Sequence, residues 1–221
     1  MRERSLWLTG AVLGLAGFLC YGAAITVSWP ETQAGTASSV LVVSGFPVFC
    51  IVFWYALFDL IRAERDSAAN HLSLLFAVAA FATVLAMVLV QVAVGTGFPE
   101  LSRGMDEQSA RILQRGLRLV DMGLDVAWDF LGGTAIICLG IAMRGHPVLR
   151  RGWAPVAILL AVALIGLNAA TFPWPPADRG IFDIGPFVAL FMAALAVRVI
   201  LLARAVAPSA PGTAASALQP K

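Results

Sequence analysis

Six long apolar segments constrain the fold of this 221-residue chain more than any other feature. They span residues 6–27, 40–61, 72–98, 120–143, 153–171 and 184–202. Each is close to the ~20 residues that a helix needs to cross a bilayer. A backbone in lipid satisfies its polar groups only in a helix or a closed barrel, and the alternating pattern of barrel strands is absent from the sequence. We therefore predict an all-α, six-transmembrane-helix bundle. Its expected partner is the lipid bilayer around it.

The composition leaves little room for anything outside the membrane. The chain is 60% hydrophobic and 13% charged, and its mean hydropathy is +0.86, far from the balance of a soluble domain. We predict one membrane domain over residues 1–204 and a disordered tail, rich in Pro, Ala and Ser, over residues 205–221. The net charge of +2 forms no basic patch, so a nucleic-acid partner is excluded. A homo-oligomer is left open.

Basic residues favour one orientation in the membrane. Those at the predicted cytoplasmic ends are Arg2, Arg4, Arg62, Arg65, Arg144, Arg150, Arg151, Arg204 and Lys221. By the positive-inside rule both termini are cytoplasmic, as expected for a multi-pass protein of a bacterial inner membrane. The external loop 99–119 is an exception, because it contains four arginines. Its apolar residues Ile112, Leu113 and Leu117 recur at helical spacing, which predicts an amphipathic interfacial helix before the fourth span.

Three aspartates at four-residue intervals are the most unusual feature within the spans. Asp121, Asp125 and Asp129 would share one helix face, with Asp129 roughly 12 Å deeper than Asp121. An acid in the membrane costs about 2.5–3.5 kcal/mol on insertion scales, so such residues usually face a bundle interior or a cavity. Arg118 is three residues before Asp121, and we expect these two side chains to form an ion pair.

Other polar groups also concentrate in the predicted outer half, where Glu31, Asp178 and Arg179 lie in loops. We expect a polar pocket that opens outward between helices 3, 4, 5 and 6. Its candidate ligand-binding residues are Asp125, Asp129, Asp121, Gln91, Asn168, Trp128, Asp183 and Arg118. The leading hypothesis is binding of a cation, a proton or a small polar or lipid-headgroup ligand. Asp59, beside Arg62 at the inner side, is predicted to be a paired interfacial residue.

Two other hypotheses remain open. One is an enzyme that acts on lipid or an envelope precursor, with an aspartate as general base or metal ligand. The other is a structural or assembly protein, in which the aspartates only join helices through hydrogen bonds. The four-residue spacing resembles the acidic end of the CDP-alcohol phosphotransferase motif, but the preceding part of that motif is absent. We predict no catalytic residue.

No cofactor or metal is expected from the residue types. Cys20, Cys50 and Cys138 all lie in apolar segments and form no CxxC pair, so we interpret them as small buried hydrophobic residues. The only lysine is Lys221, which excludes a Schiff base inside the bundle.

Two stretches resemble a known group of proteins. They are DMGLDVAWDFLGG at 121–133 and NAATFPWPPADRGIFDIGP at 168–186. In these the chain resembles bacterial six-helix membrane proteins similar to the group known as domain of unknown function 4386. The resemblance implies a six-helix fold in a bacterial membrane, and it implies no activity or site residue.

Overall fold

The computed structural model describes residues 2–26 and 33–205, and its regular secondary structure there is entirely helical. The elements are α1 (Arg2–Thr26), α2 (Gln33–Glu64), α3 (Ala68–Leu101), α4 (Glu107–Met143), α5 (Trp153–Thr171), the short 3-10 helix α6 (Pro176–Arg179) and α7 (Gly185–Ala205). Six of them, all except α6, are long and apolar enough to span a membrane. The predicted all-α class with six span-length helices is thereby confirmed.

Two of the helices are much longer than a bilayer requires. Helix α3 has 34 residues and α4 has 37, which corresponds to roughly 50 and 55 Å, against a hydrocarbon core of about 30 Å. The two helices pack against each other along their length. If the apolar parts lie in the membrane, the outer parts of α3 and α4 project from it as a helical hairpin.

The segment predicted as a separate interfacial helix is the first part of this hairpin. It is helical, as expected, but α4 runs without a break from Glu107 to Met143. Residues 107–119 belong to the same helix as the span, so the prediction of a separate helix before the fourth span is corrected, while the interfacial position of this segment stays a prediction. The physical reason is that α3 packs against α4 on both sides of this junction, from about Gln114 to Gly132, and continuous backbone hydrogen bonding is then favourable.

Side chains define where the long helices begin. Asp106 is the N-cap of α4, and its Oδ1 accepts a hydrogen bond of 3.0 Å from the backbone N–H of Ser109. Hydrogen bonds from the hydroxyl and the backbone of Ser109 lower the pKa of Asp106. Ser67 caps α3 in the same way and accepts from the N–H of Asn70. Both are common N-cap residues.

Helices that are consecutive in sequence from α1 to α5 pack against each other, and the bundle is closed by contact between its first and last helices. Contacts join α1 to α2, α2 to α3, α3 to α4 and α4 to α5, and α7 packs mainly against α1. Close approach of α1 to α2 requires glycine at two places. A Cβ added at Gly10 would collide with the Cβ of Ala56, and one at Gly14 would lie 2.6 Å from the ring of Phe53. This is the small-residue packing typical of membrane helices.

The end of the bundle that carries the connection between α2 and α3 is held by polar contacts between helices. Asp59 accepts a hydrogen bond of 3.0 Å from Nε1 of Trp7 and lies 3.8 Å from the guanidinium of Arg62, so its predicted pairing is confirmed. Buried Asn70 donates to the carbonyl of Phe58 at 2.9 Å. These bonds join α1 to α2 and α2 to α3.

Some sequence predictions lie outside the described residues. Glu31 falls in the gap at 27–32, and the predicted tail falls in 206–221 apart from Ala205, which is the last residue of α7. The division into a domain at 1–204 and a tail at 205–221 therefore stays a prediction.

Candidate functional site

The aspartate ladder lies on one face of α4 and points into the bundle. All three carboxylates are partly buried. Their electrostatic environments are linked, because Asp125 interacts with Asp121 and Asp129 interacts with Asp125. The structure nevertheless divides the three aspartates between two different surroundings.

Asp121 lies between α3 and α4 and not in the centre of the bundle. Its Oδ1 accepts a hydrogen bond of 2.8 Å from Nε2 of Gln91. These two side chains, together with Arg118, line a hollow of about 460 Å³ between the outer parts of α3 and α4. Three of the predicted site residues are thus brought together here, away from Asp125 and Asp129.

The expected ion pair between Arg118 and Asp121 is not formed. Arg118 instead donates from Nη2 to Oδ2 of Asp178 in α6, at 2.8 Å. Arg179, the next residue, has its guanidinium 5.6 Å from the ring centre of Trp174. The i,i+3 spacing favours Asp121 as the partner of Arg118. Asp178, in the segment after α5, competes with it and is the observed partner. Neither arginine is ion-paired with Asp125 or Asp129.

Asp129 is held by a buried amide from α5. Asn168 is 1% exposed, and its Nδ2 donates both to Oδ2 of Asp129 at 2.8 Å and to the carbonyl of Leu164 at 3.0 Å. Its Oδ1 is buried and has no hydrogen-bond partner within residues 2–26 and 33–205. The predicted proximity of Asn168 to the ladder is therefore observed, and the amide joins α4 to α5.

Asp125 is the ladder member without a direct polar partner. Among the described residues no hydrogen bond or ion pair reaches its carboxylate. Asp183, in the loop before α7, lies within electrostatic range of Asp125 and Asp129. Its side chain is exposed, and its Oδ1 accepts a hydrogen bond of 2.8 Å from the N–H of Gly185. This bond fixes Asp183 at the start of α7.

Asp125, Asp129 and Asp183 line a central cavity of about 150 Å³. Its wall has residues from all six span-length helices. They are Phe18, Tyr21, Phe46, Cys50, Phe53, Trp54, Ala77, Ala80, Phe81, Asp125, Trp128, Asp129, Gly132, Ala135, Ile136, Leu164, Pro175, Pro176, Asp183, Gly185, Pro186, Val188, Ala189 and Met192. Asp183 lies in the loop before α7, and most of the other lining residues are apolar.

An aromatic cluster centred on Phe46 forms much of the wall. The ring centre of Phe46 is 4.9 Å from that of Tyr21, 5.9 Å from that of Phe81 and 6.1 Å from that of Trp128. The Phe81 and Trp128 rings meet Phe46 edge to face, an arrangement that aromatic pairs favour. The Tyr21 side chain also lies within electrostatic range of Asp125, Asp129 and Asp183.

The cavity has three carboxyl groups and no basic side chain among its described lining residues. The gap at 27–32 adds none either, because its sequence is VSWPET. Within residues 2–26 and 33–205, no three His, Cys, Asp or Glu side chains are grouped as a metal site requires. Any compensating charge inside this cavity must come from a proton or a bound cation.

The predicted pocket between helices 3 to 6 differs from the observed cavity in its walls. Asp125, Trp128, Asp129 and Asp183 line it, as expected. The contribution of the first two helices was missed, including Tyr21 and the Phe46 cluster. A signal for it exists in the sequence, since Phe46, Cys50, Phe53 and Trp54 recur at the spacing of one helix face. An apolar face inside an apolar span has no contrast against lipid-facing residues, so its direction could not be inferred.

Comparisons of the chain with protein-family models, with curated proteins and with solved structures found no match. The resemblance to the domain of unknown function 4386 group stays a prediction. A functional proposal therefore depends on the geometry of the cavity alone.

Proposed function

We propose that this chain is a membrane-embedded binding protein, whose central cavity takes a cation, a proton or a small polar ligand through Asp125 and Asp129. The observation that carries the proposal is a partly enclosed, mostly apolar cavity with three carboxylates and no basic residue among its described lining residues. Ligand sites are commonly concave and mostly apolar, with a few convergent polar groups. A carboxylate that is kept in such a place without a counter-ion is costly unless a ligand or a proton compensates it.

Asp125 has the more direct role in this proposal. Asp129 is already engaged by Asn168, whereas Asp125 has no protein donor among the described residues. Asp125 is therefore the group whose hydrogen-bonding capacity is available to a ligand. Asp183, on the loop side of the same cavity, adds charge at the entrance.

The bond between Asn168 and Asp129 favours a second, structural role for part of the ladder. A buried amide that joins two helices stabilises the bundle whether or not a ligand binds. The two roles are separable by residue. Asp125→Asn should remove ligand responses with little change in melting temperature, while Asp129→Leu, which removes the acceptor of the Asn168 bond, should lower the melting temperature as well.

The proposal is tested by titrating the protein in lipid nanodiscs with defined probes. The probes are H⁺ between pH 8 and 5, Na⁺, K⁺, Mg²⁺, Ca²⁺ and tetramethylammonium, and the readouts are tryptophan fluorescence and melting temperature. We expect at least one saturable response that Asp125→Asn abolishes. Glu100→Gln is the matched control, because Glu100 is exposed near the end of α3 and its side chain takes part in no hydrogen bond or ion pair among the described residues. If no probe gives a response that depends on Asp125, the proposal is wrong.

We also propose the orientation and location predicted from the charges. Both termini would face the cytoplasm in a bacterial inner membrane, so that the cavity entrance and the α3–α4 hairpin face outward. Arginines on the outer side oppose this orientation under the positive-inside rule, but two of those in the α3–α4 hairpin are paired with acids. Arg111 forms an ion pair with Glu107, and Arg118 forms one with Asp178.

A further inference from the structure

We infer that the ligand of the central cavity is a small organic cation, an ammonium group carrying an apolar substituent no larger than a benzyl group. This inference rests on the proposed binding function and narrows it to one class of ligand. Three properties of the wall support it, namely its charge, its aromatic rings and its size.

The acids in the wall favour a cationic ligand whose ammonium group lies beside them. Asp125 and Asp129 line the cavity together with Asp183, which lies in the loop before α7, and both are within electrostatic range of it. Asp125 has no competing protein donor among the described residues, Arg118 is ion-paired with Asp178, and Arg179 lies over the ring of Trp174. An ammonium group beside these acids would hydrogen-bond to Asp125 and remain within reach of the negative field of the other two acids.

The rest of the wall is unsuited to a hydrated inorganic ion. An alkali or alkaline-earth cation requires several oxygen ligands around it, whereas the wall beyond the carboxylates consists of aromatic and aliphatic side chains such as Phe53, Trp54, Ile136 and Met192. A dehydrated metal ion would have oxygen on one side only. An ammonium with an apolar substituent uses both parts of the wall, because its substituent buries apolar surface.

The aromatic cluster beside the acids adds a direct attraction. Tyr21, Phe46 and Trp128 surround the same space, with ring centres 4.9 and 6.1 Å from that of Phe46. Trp128 and Asp125 are three residues apart on α4, so the indole and the carboxylate lie on the same helix face. Aromatic rings next to a carboxylate are the usual means of binding alkylated ammonium groups, which are poorly hydrated and attracted to ring faces.

The volume limits the size of the guest. A cavity of about 150 Å³ is comparable to an engineered cavity that admits one benzene molecule. Benzylammonium, n-butylammonium and tetramethylammonium are therefore of a suitable size. Longer chains or two fused rings would require the wall to move.

The test is calorimetric titration of the full chain in nanodiscs with a charged probe and its neutral counterpart. Benzylammonium is compared with benzyl alcohol, and NaCl serves as the inorganic probe. We expect benzylammonium to bind at least about tenfold more tightly than benzyl alcohol, since about 1.4 kcal/mol from the ion pair and ring contacts corresponds to that ratio. Asp125→Asn should remove this difference.

A second variant separates the aromatic contribution from the charge. Trp128→Leu should weaken tetramethylammonium binding while leaving any response to Na⁺ unchanged. Phe130→Leu is the matched control, because Phe130 lies on α4 but is exposed and does not line the cavity. Both variants keep an apolar side chain of helical preference, and melting temperatures establish that the variants are folded.

The outcomes distinguish the inference from the proposed function. A response to Na⁺ that depends on Asp125, with no binding of benzylammonium, overturns the organic-cation inference and leaves the proposed function standing. Equal binding of benzyl alcohol and benzylammonium also overturns the inference. If neither these compounds nor any inorganic probe binds in a manner that depends on Asp125, both statements fail.

Discussion

At the residue scale, tertiary neighbours determined the hydrogen-bond and ion-pair partners of the polar side chains in the site. The spacing of Arg118 and Asp121 predicted a local ion pair, but Asp178, 60 residues away in sequence, is the observed partner. The prediction that Asn168 faces the ladder is consistent with its bond to Asp129. Sequence spacing limits which residues share a helix face, and it does not determine which loop covers that face.

Asn168 provides the first prediction at this scale. Asn168→Leu removes the donor to Asp129 and also removes the unpaired Oδ1, so the two effects partly offset each other. We expect a loss of about 1 kcal/mol, within the range measured for hydrogen bonds between membrane helices. Thermal unfolding in detergent checks this. Thr171→Val in the same helix is the control, because the hydroxyl of Thr171 hydrogen-bonds, among the described residues, only to the carbonyl of Leu167 in its own helix. Equal losses in the two variants would contradict the assigned role of Asn168.

His146, in the turn between α4 and α5, provides a prediction on pH. It is 4% exposed, and its Nδ1 accepts from the N–H groups of Val148 and Leu149 at 3.2 and 3.3 Å, which requires a neutral ring. Burial lowers the pKa of His146 from 6.5, while the charge of Glu64 opposes this change. The folded state thus prefers the neutral form. Its stabilising effect is complete above pH 6.5 and is lost as the pH falls through the lower folded-state pKa.

We therefore expect exchange of the Val148 and Leu149 amide protons to become severalfold more protected from pH 5 to pH 7.5, after correction for intrinsic rates. His146→Asn keeps an acceptor near the position of Nδ1 but does not titrate. Hydrogen-exchange mass spectrometry of the peptide covering 144–152 should show no such pH dependence in this variant. Persistence of the dependence in His146→Asn would assign it to another group.

At the element scale, the helices were easier to predict than their lengths. All six apolar segments are helical in the structure, because a backbone in lipid satisfies its polar groups only in a helix or a closed barrel. The apolar segments did not predict how far α3 and α4 extend toward the loop that connects them. Span prediction counts apolar residues, whereas these helices extend to Leu101 and from Glu107 because they pack on each other and α4 has an N-cap at Asp106.

The glycines of α1 allow a test of helix packing with an internal control. Gly10→Ala places a methyl group against the Cβ of Ala56, which has no rotamer available for relief. We expect a loss of about 1–3 kcal/mol, as for other overpacked sites. Gly22→Ala, in the same helix, has no atom within 4 Å of the added Cβ and should be neutral or slightly stabilising. Thermal unfolding of both variants in one detergent checks this, and equal effects would contradict the close α1–α2 contact.

At the scale of the whole molecule, closure of the bundle creates the cavity. Helix α7 packs mainly on α1, and this contact places Val188, Ala189 and Met192 opposite the rings of α2 and the acids of α4. No single element contains the cavity, since each of the six span-length helices contributes to its wall.

The orientation of the whole chain is also testable. If all six helices span the membrane, residues 2 and 205 lie on the same side, and we propose from the charge distribution that this side is the cytoplasm. We expect alkaline phosphatase fused after Ser102 to be active in the periplasm and a fusion after Gly152 to be inactive. A fluorescent protein fused after Ala205 should fluoresce. The reversed pattern would place the cavity entrance in the cytoplasm and would require a different source of ligand.

The sequence by itself determined the helical class, the number of spans and the identity of the acids, because each depends on local composition and on the high cost of unpaired polar groups in lipid. The tertiary structure alone decided which acid is free and which is held. It engaged Asp121 with Gln91 and Asp129 with Asn168, and it left Asp125 facing the rings of α1 and α2. Those assignments depend on contacts between residues 30 or more positions apart, and helix periodicity carries no information about such contacts.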